Sequence, residues 1–336
     1  MTNFRNIAIS LAAAGCIILN SCGSNETAPV TTPATEASPA KIVTPSFSGD
    51  TAYSYVSRQV AFGARVPGSK AQQQCATWMQ AALQASCDTV YRQETTVRAA
   101  NGTSLPCINL IGAINPAAST RILLLTHWDS RPWADQDTRD MNKPILAADD
   151  GGSGTAVLLE LARQIKAYGL SASIGIDILL TDVEDYGKSE WGDDSYCLGT
   201  QYWAAHPHIA GYKANYGILL DMVGARGAQF PLEAGSTRMA GEVQQKVWQA
   251  AAMAGCSSWF PYAQGPEITD DHVPVNKIAG IPTIDIIHMR PDPQNPFPLH
   301  WHTHADDMSV IDKETLGAVG RTLLQVIYTE AAAVVN

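Results

Sequence analysis

The sequence predicts an α/β protein, a three-layer αβα sandwich around a central mixed, mostly parallel sheet. Two observations carry this expectation. Behind two amphipathic helical stretches the apolar period shifts from that of helices to that of strands, and strands and helices then alternate to the end of the chain. The segment Arg121 to Thr126 is also a near-continuous apolar run, as a strand covered on both faces requires. With 336 residues, 46% of them hydrophobic, there is material for a sizeable core. A net charge of -10 without any basic stripe argues against nucleic acid as a partner.

At the start, Arg5 precedes an apolar run from Ile7 to Leu19, too short to span a bilayer comfortably, so residues 1–21 read as a signal peptide. Leu19-Asn-Ser-Cys22 resembles the bacterial lipobox, in which the cysteine becomes the lipidated first residue. Residues 22–47 are then rich in Thr, Pro, Ala and Glu and read as a flexible tether, leaving 48–336 as one catalytic domain without internal repeats. The expected location is the periplasm, lipid-anchored to a bacterial membrane through Cys22.

Residues 52–63 form the first expected helix, ended by Gly63, and a second starts at Ser69 with Cys75, Trp78, Met79 and Leu83 at helical spacing. Residues 89–97, 107–113 and 121–126 read as three strands. The pattern continues with a helix over 154–168, strands over 174–181 and 216–222, a helix over 239–253, a strand over 282–288 and a final helix over 313–335. Cys75, Cys87, Cys107, Cys197 and Cys256 have no metal-like spacing. An oxidising compartment would allow one or two disulfides among them.

The strand ends concentrate the chemistry. The run from Asp177 stops in Asp182-Val-Glu184-Asp185, two adjacent acids that point apart and could divide metal binding from proton transfer; a solvated acidic turn is the bland alternative. The strand before it stops in His127-Trp-Asp129, a ligand and its orienting carboxylate. Asp149-Asp150-Gly-Gly-Ser-Gly154 then runs into a helix, where Asp150 could be a ligand or simply a cap; no Gly-Lys-Ser/Thr or GxGxxG motif accompanies it. Asp221 ends another apolar run, and Asp270-Asp-His272 and His300-Trp-His302-Thr-His304 follow. Carboxylates mixed with imidazoles in successive connections of one sheet suggest zinc with an open position.

The order His-x-Asp, Asp-x-x-Ser-Gly, Glu-Asp, Asp and His-Thr-x-x-Asp resembles that of the co-catalytic zinc aminopeptidases and their relatives, the animal-type zinc glutaminyl cyclases. The likeness covers nearly everything from Ser48 onward. Leu220-Asp221-Met-Val-Gly-Ala225, Asp270-Asp-His-Val-Pro274 and Trp301-His-Thr303 resemble the cyclases, including those of Bacteroidota. The resemblance implies one zinc on Asp150, Asp185 and His302, Glu184 as general acid/base, and Asp221 and Asp270 as a carboxyl pair sharing a proton near the substrate amine. It implies conversion of N-terminal glutamine of peptides and proteins to pyroglutamate with release of ammonia, with Trp301 and Trp191 walling the glutamine side chain. Animal enzymes have Glu where this chain has Asp185, and the cysteines flanking their site are absent here.

Asp306 is the expected partner of the second ring nitrogen of His302. His300 and His304 could join His302 in a histidine-only site, while His206, His208 and His288 read as surface or packing residues. The alternative function is a periplasmic di-zinc aminopeptidase, with His127 and Asp221 holding a second metal bridged through Asp150. A third reading is a lipoprotein that only binds peptides.

Overall fold

The computed structural model describes residues 42–335 other than Pro293, and Ile42 onward forms one compact unit. The expected signal peptide, lipidated Cys22 and most of the tether lie outside the described residues. Ile42 and Phe47, at the end of the expected tether, pack against the main core.

Helix α1 (Gly49–Ala61) starts where the Ser48 side chain accepts a hydrogen bond from Thr51 N, and α2 (Lys70–Ser86) where Ser69 does the same for Gln72 N. A hairpin follows, β1 (Thr89–Arg98) antiparallel to β2 (Ser104–Ile114). The elements after it alternate: β3 (Thr120–His127), α3 (Gly152–Tyr168), β4 (Ile174–Thr181), α4 (Leu198–Ala205), β5 (Tyr216–Asp221) and α5 (Ala234–Met253). They continue through α6 (His272–Pro274), extended by a π turn Val275–Ala279, then β6 (Thr283–Ile287) and α7 (Lys313–Val335). Helix α5 begins earlier than its apolar period suggests, and a kink at Ala240 (φ -148°, ψ 42°) separates its added first part.

The six strands form one mixed sheet in the order β1-β2-β4-β3-β5-β6. β4, β3, β5 and β6 are mutually parallel, whereas β1 and β2 run antiparallel along one side. Alternate residues face opposite layers. Ile122, Leu124, Ile176, Ile178, Ile218 and Leu220 pack with α1, α2, α3, α5 and α7, while Leu123, Leu125, Leu179 and Leu219 pack with Trp203 of α4 and Val275 of the π turn. This is the three-layer arrangement expected from the alternation.

Parallel strands deliver their carboxyl ends to one edge, so His127, the Thr181–Asp185 turn and Asp221 emerge together. Helix α3 crosses that edge closely. A Cβ on Gly154 would sit 2.2 Å from Thr126 Oγ1 and 2.8 Å from Leu220 O, so only glycine permits the approach. The five cysteines named above are all buried and free.

Candidate active site

Each strand end contributes one part of a buried polar cluster. His127 lies with Nδ1 3.4 Å from Asp129 Oδ1, and with Nε2 3.0 Å from Asp150 Oδ1 and 3.3 Å from Asp221 Oδ1. Asp129 also accepts hydrogen bonds from Glu184 N (3.1 Å) and Asp185 N (3.2 Å), so one carboxylate orients the imidazole and sets the turn that carries the two acids. Asp150 does not cap α3, whose cap position is Gly151 with no side-chain hydrogen bond. Its backbone is held instead: Asp149 N and Asp150 N donate to the two oxygens of Asp306 at 2.7 and 3.1 Å.

His302 Nε2 faces Asp185 Oδ1 at 3.3 Å and Asp150 Oδ2 at 3.7 Å. Its other ring nitrogen is 3.5 Å from Asp135 Oδ1, not at Asp306. Arg131 ties this side together. It donates to Asp185 Oδ1 at 2.7 Å and grips both oxygens of Asp135 at 2.7 and 2.6 Å, so two of the clustered side chains hang on one buried guanidinium. His300 turns away to Asp149 Oδ2 at 2.8 Å, and His304 is exposed beside Asp140 O, so the three neighbouring histidines do not share a site.

Three groups of ligand-type side chains result: Asp150, Asp185 and His302; His127, Asp150 and Asp221; and Glu184, Cys197 and Asp270, each with its ligand atoms within 4.8 Å of one another. Buried Asp150 Oδ2 and Asp185 Oδ2 receive no hydrogen bond from any described residue. Unpartnered carboxylate oxygens facing an imidazole nitrogen fit a divalent cation, and zinc suits the mixed oxygen and nitrogen donors.

These groups open into a cavity of about 370 Å³ lined by Glu184, Asp270, Tyr196, Ile268, Phe297 and Trp301 as well as the first group. The Trp301 ring stacks between Phe297 and His302, with centroids 4.1 and 3.7 Å away. Trp191 does not line it; its ring meets Trp133 edge-on at 6.0 Å. Tyr196, Ile268 and Phe297 were not singled out in the sequence, because each sits in a loop whose apolar residues show no period.

Burial, reinforced by Asp185, Asp270 and Asp271 against the opposing pull of His127, raises the Glu184 carboxyl well above its ordinary value. Asp221 is pushed up to about 6 by burial and Asp150, against its hydrogen bond to His127. Burial first, then Asp221 and Asp271, raises Asp270 well above its usual range. Asp285, in the middle of β6, lies against Asp270 and is raised for the same reasons. Nothing in the sequence marked Asp285, because an acid inside a short apolar run carries no strand-end signal.

Residues in or beside these groups adopt left-handed backbone, among them Val183 (φ 55°), Met222 (φ 47°) and His302 (φ 55°). For a β-branched residue such as Val183 this conformation is a true outlier, and such strain gathers at functional sites.

The model of peptidase family M28 matches residues 109–327. The chain belongs to this family. As an M28 member it is similar to the crystal structure of Tannerella forsythia glutaminyl cyclase, with 50% identity and a TM-score of 0.81 over 84% of this chain and 99% of that one. A Zn-dependent exopeptidase from Parabacteroides distasonis is 46% identical with a TM-score of 0.82, covering 85% of this chain and 99% of that one. The glutaminyl-peptide cyclotransferase of Gloydius blomhoffii is 28% identical over 250 residues, 66% of this chain, and the match spans 65% of that relative's length. M28 membership and the zinc-dependent neighbour imply zinc as the metal.

Proposed function

We propose that the protein is a glutaminyl-peptide cyclotransferase that converts the N-terminal glutamine of peptides and proteins to pyroglutamate and releases ammonia. The observation that carries this reading is the carboxyl pair Asp221 and Asp270 in one cavity with Glu184 and with Asp150, Asp185 and His302. Cyclisation joins two atoms of the same residue, so the site must fold the glutamine and manage protons, without an external nucleophile. Asp221 and Asp270, two close buried acids, cannot both be charged. Sharing one proton, they present a single negative charge to the substrate amine.

Glu184 takes a proton from the attacking nitrogen as the new N–C bond forms and returns one to the amide nitrogen as its C–N bond breaks. Its raised pKa suits both halves of the transfer. Trp301, Phe297 and Ile268 exclude water from the aliphatic part of the glutamine. Zinc, when bound by Asp150, Asp185 and His302, supplies a Lewis acid for the γ-carbonyl. The decisive test offers the purified protein Gln-peptides and Ala- or Leu-peptides side by side. Pyroglutamate and ammonia from the first are expected; release of the first amino acid from the others would reverse the reading.

We place one zinc on each chain, because an Asp221 that shares a proton with Asp270 carries less charge and is a poor second ligand. Asp270→Ala is expected to abolish cyclisation without releasing that zinc. The alternative, a di-zinc aminopeptidase, would use the His127, Asp150 and Asp221 group for its second metal, and the similarity to glutaminyl cyclases does not favour it. Two equivalents of metal in the active protein, one of them lost in Asp221→Ala, would establish it.

As part of the same reading, the protein sits in the periplasm, anchored to a bacterial membrane by lipid on Cys22. Membrane fractionation of the full-length protein tests this: Cys22→Ser is expected to move it to the soluble fraction with activity intact. A wild type already soluble and without lipid would rule it out.

A further inference from the structure

Among the described residues, the Glu184 carboxylate receives one side-chain hydrogen bond, from the Cys197 thiol, with Sγ 3.3 Å from Oε1. The backbone brings the same two segments together. Cys197 N donates to Glu184 O at 2.9 Å, and Leu198 N donates to Val183 O at 3.0 Å. Cys197 precedes α4 in left-handed backbone (φ 56°, ψ 29°), a conformation that glycine adopts freely and other residues resist. A side chain is therefore kept where the backbone alone would favour none. The thiol is 2% exposed, and burial, aided by Glu184, Asp271 and Asp270, raises its pKa well above the ordinary value, so it is an S–H donor and not a thiolate.

We propose that Cys197 is a positioning residue for the reaction: its S–H holds Oε1 of Glu184, leaving Oε2 as the oxygen turned to the substrate nitrogens. This rests on the role of Glu184 proposed above. The terminal bond of a glutamate side chain rotates in a broad, shallow well, so one fixed oxygen sets the direction of the other. Proton transfer loses rate steeply with misplacement of the base. A residue at 197 that served packing alone would tolerate alanine and suffer from a buried hydroxyl. A donor shows the opposite order.

Cys197→Ser and Cys197→Ala in the zinc-loaded full chain separate the two. The serine variant is expected to keep kcat within about threefold of wild type, because its hydroxyl replaces the donor, whereas the alanine variant falls about tenfold with KM, Tm and zinc content unchanged. Alanine equal to wild type, or serine slower than alanine, overturns the proposal. A second readout needs no turnover. The S–H stretching band, isolated as the infrared difference between wild type and Cys197→Ser, is expected at the lowered frequency of a thiol bonded to a carboxylate and to rise in Glu184→Gln. A free-thiol frequency that ignores Glu184→Gln overturns the hydrogen bond even if the wild type does not cyclise glutamine. Failure of the wild type to cyclise would count against the cyclase reading and leave this second result to decide the position of Glu184.

Discussion

Glu184→Gln is expected to lower kcat for cyclisation by roughly 10²–10⁴-fold, the usual contribution of a positioned acid/base, with zinc content and Tm kept. The substitution preserves shape. Asp129 holds this turn through Glu184 N, not through the side chain, and Cys197 can donate to an amide oxygen as to a carboxylate. What disappears is the ability to accept and return a proton. Because the side chain is buried and carries a raised pKa, replacing it by a neutral amide adds no desolvation cost. The measurement is steady-state kinetics on a Gln-peptide with metal analysis of the same preparation. A variant that keeps full kcat would assign the proton transfer elsewhere, with Asp270 the next candidate.

The second large effect is on metal content. His302→Ala and Asp185→Ala should each weaken zinc binding by on the order of 10²–10³-fold, taking one ligand's share of a typical protein–zinc binding free energy. His302 is the cleaner variant. Removing Asp185 also leaves Arg131, which is 1% exposed, with Asp135 as its remaining carboxylate partner, so that variant should lose stability as well as metal. Competition with a chelator, read against Tm, separates the two losses. Metal retained at wild-type affinity in both variants would overturn the ligand assignment.

The sheet was legible because buried parallel strands leave apolar runs that stop abruptly, and the stops at His127, Thr181 and Asp221 are the edge where the polar groups gather. The helix start at Ser69 was legible for a similarly local reason, a hydroxyl beside an amphipathic period, whereas α1 starts at Gly49, ahead of the expected residue 52. The supporting contacts were not. Asp135 reaches His302 across 167 residues of chain, from the long loop between β3 and α3 whose residues follow no period. Asp306, the expected partner of His302, is used by tertiary folding to bind the backbone of Asp149 and Asp150. Trp191, expected in the cavity wall beside Trp301, occupies a 3₁₀ turn that directs it to Trp133. Each of these contacts depends on where a loop lands, and one-dimensional pattern carries no such information.

The left-handed backbone at Val183 and Met222 sets a limit on how this protein can be improved. Both positions adjoin an acid of the cavity, Glu184 in one case and Asp221 in the other. A residue forced into that conformation holds its neighbour's side chain in a direction that relaxed chain would not choose, and stability is given up to do so. Glycine at either position would relieve the strain and loosen the aim of the acid beside it. The hardiest version of this chain and the fastest one are therefore different sequences, and they part at residues that do not line the cavity.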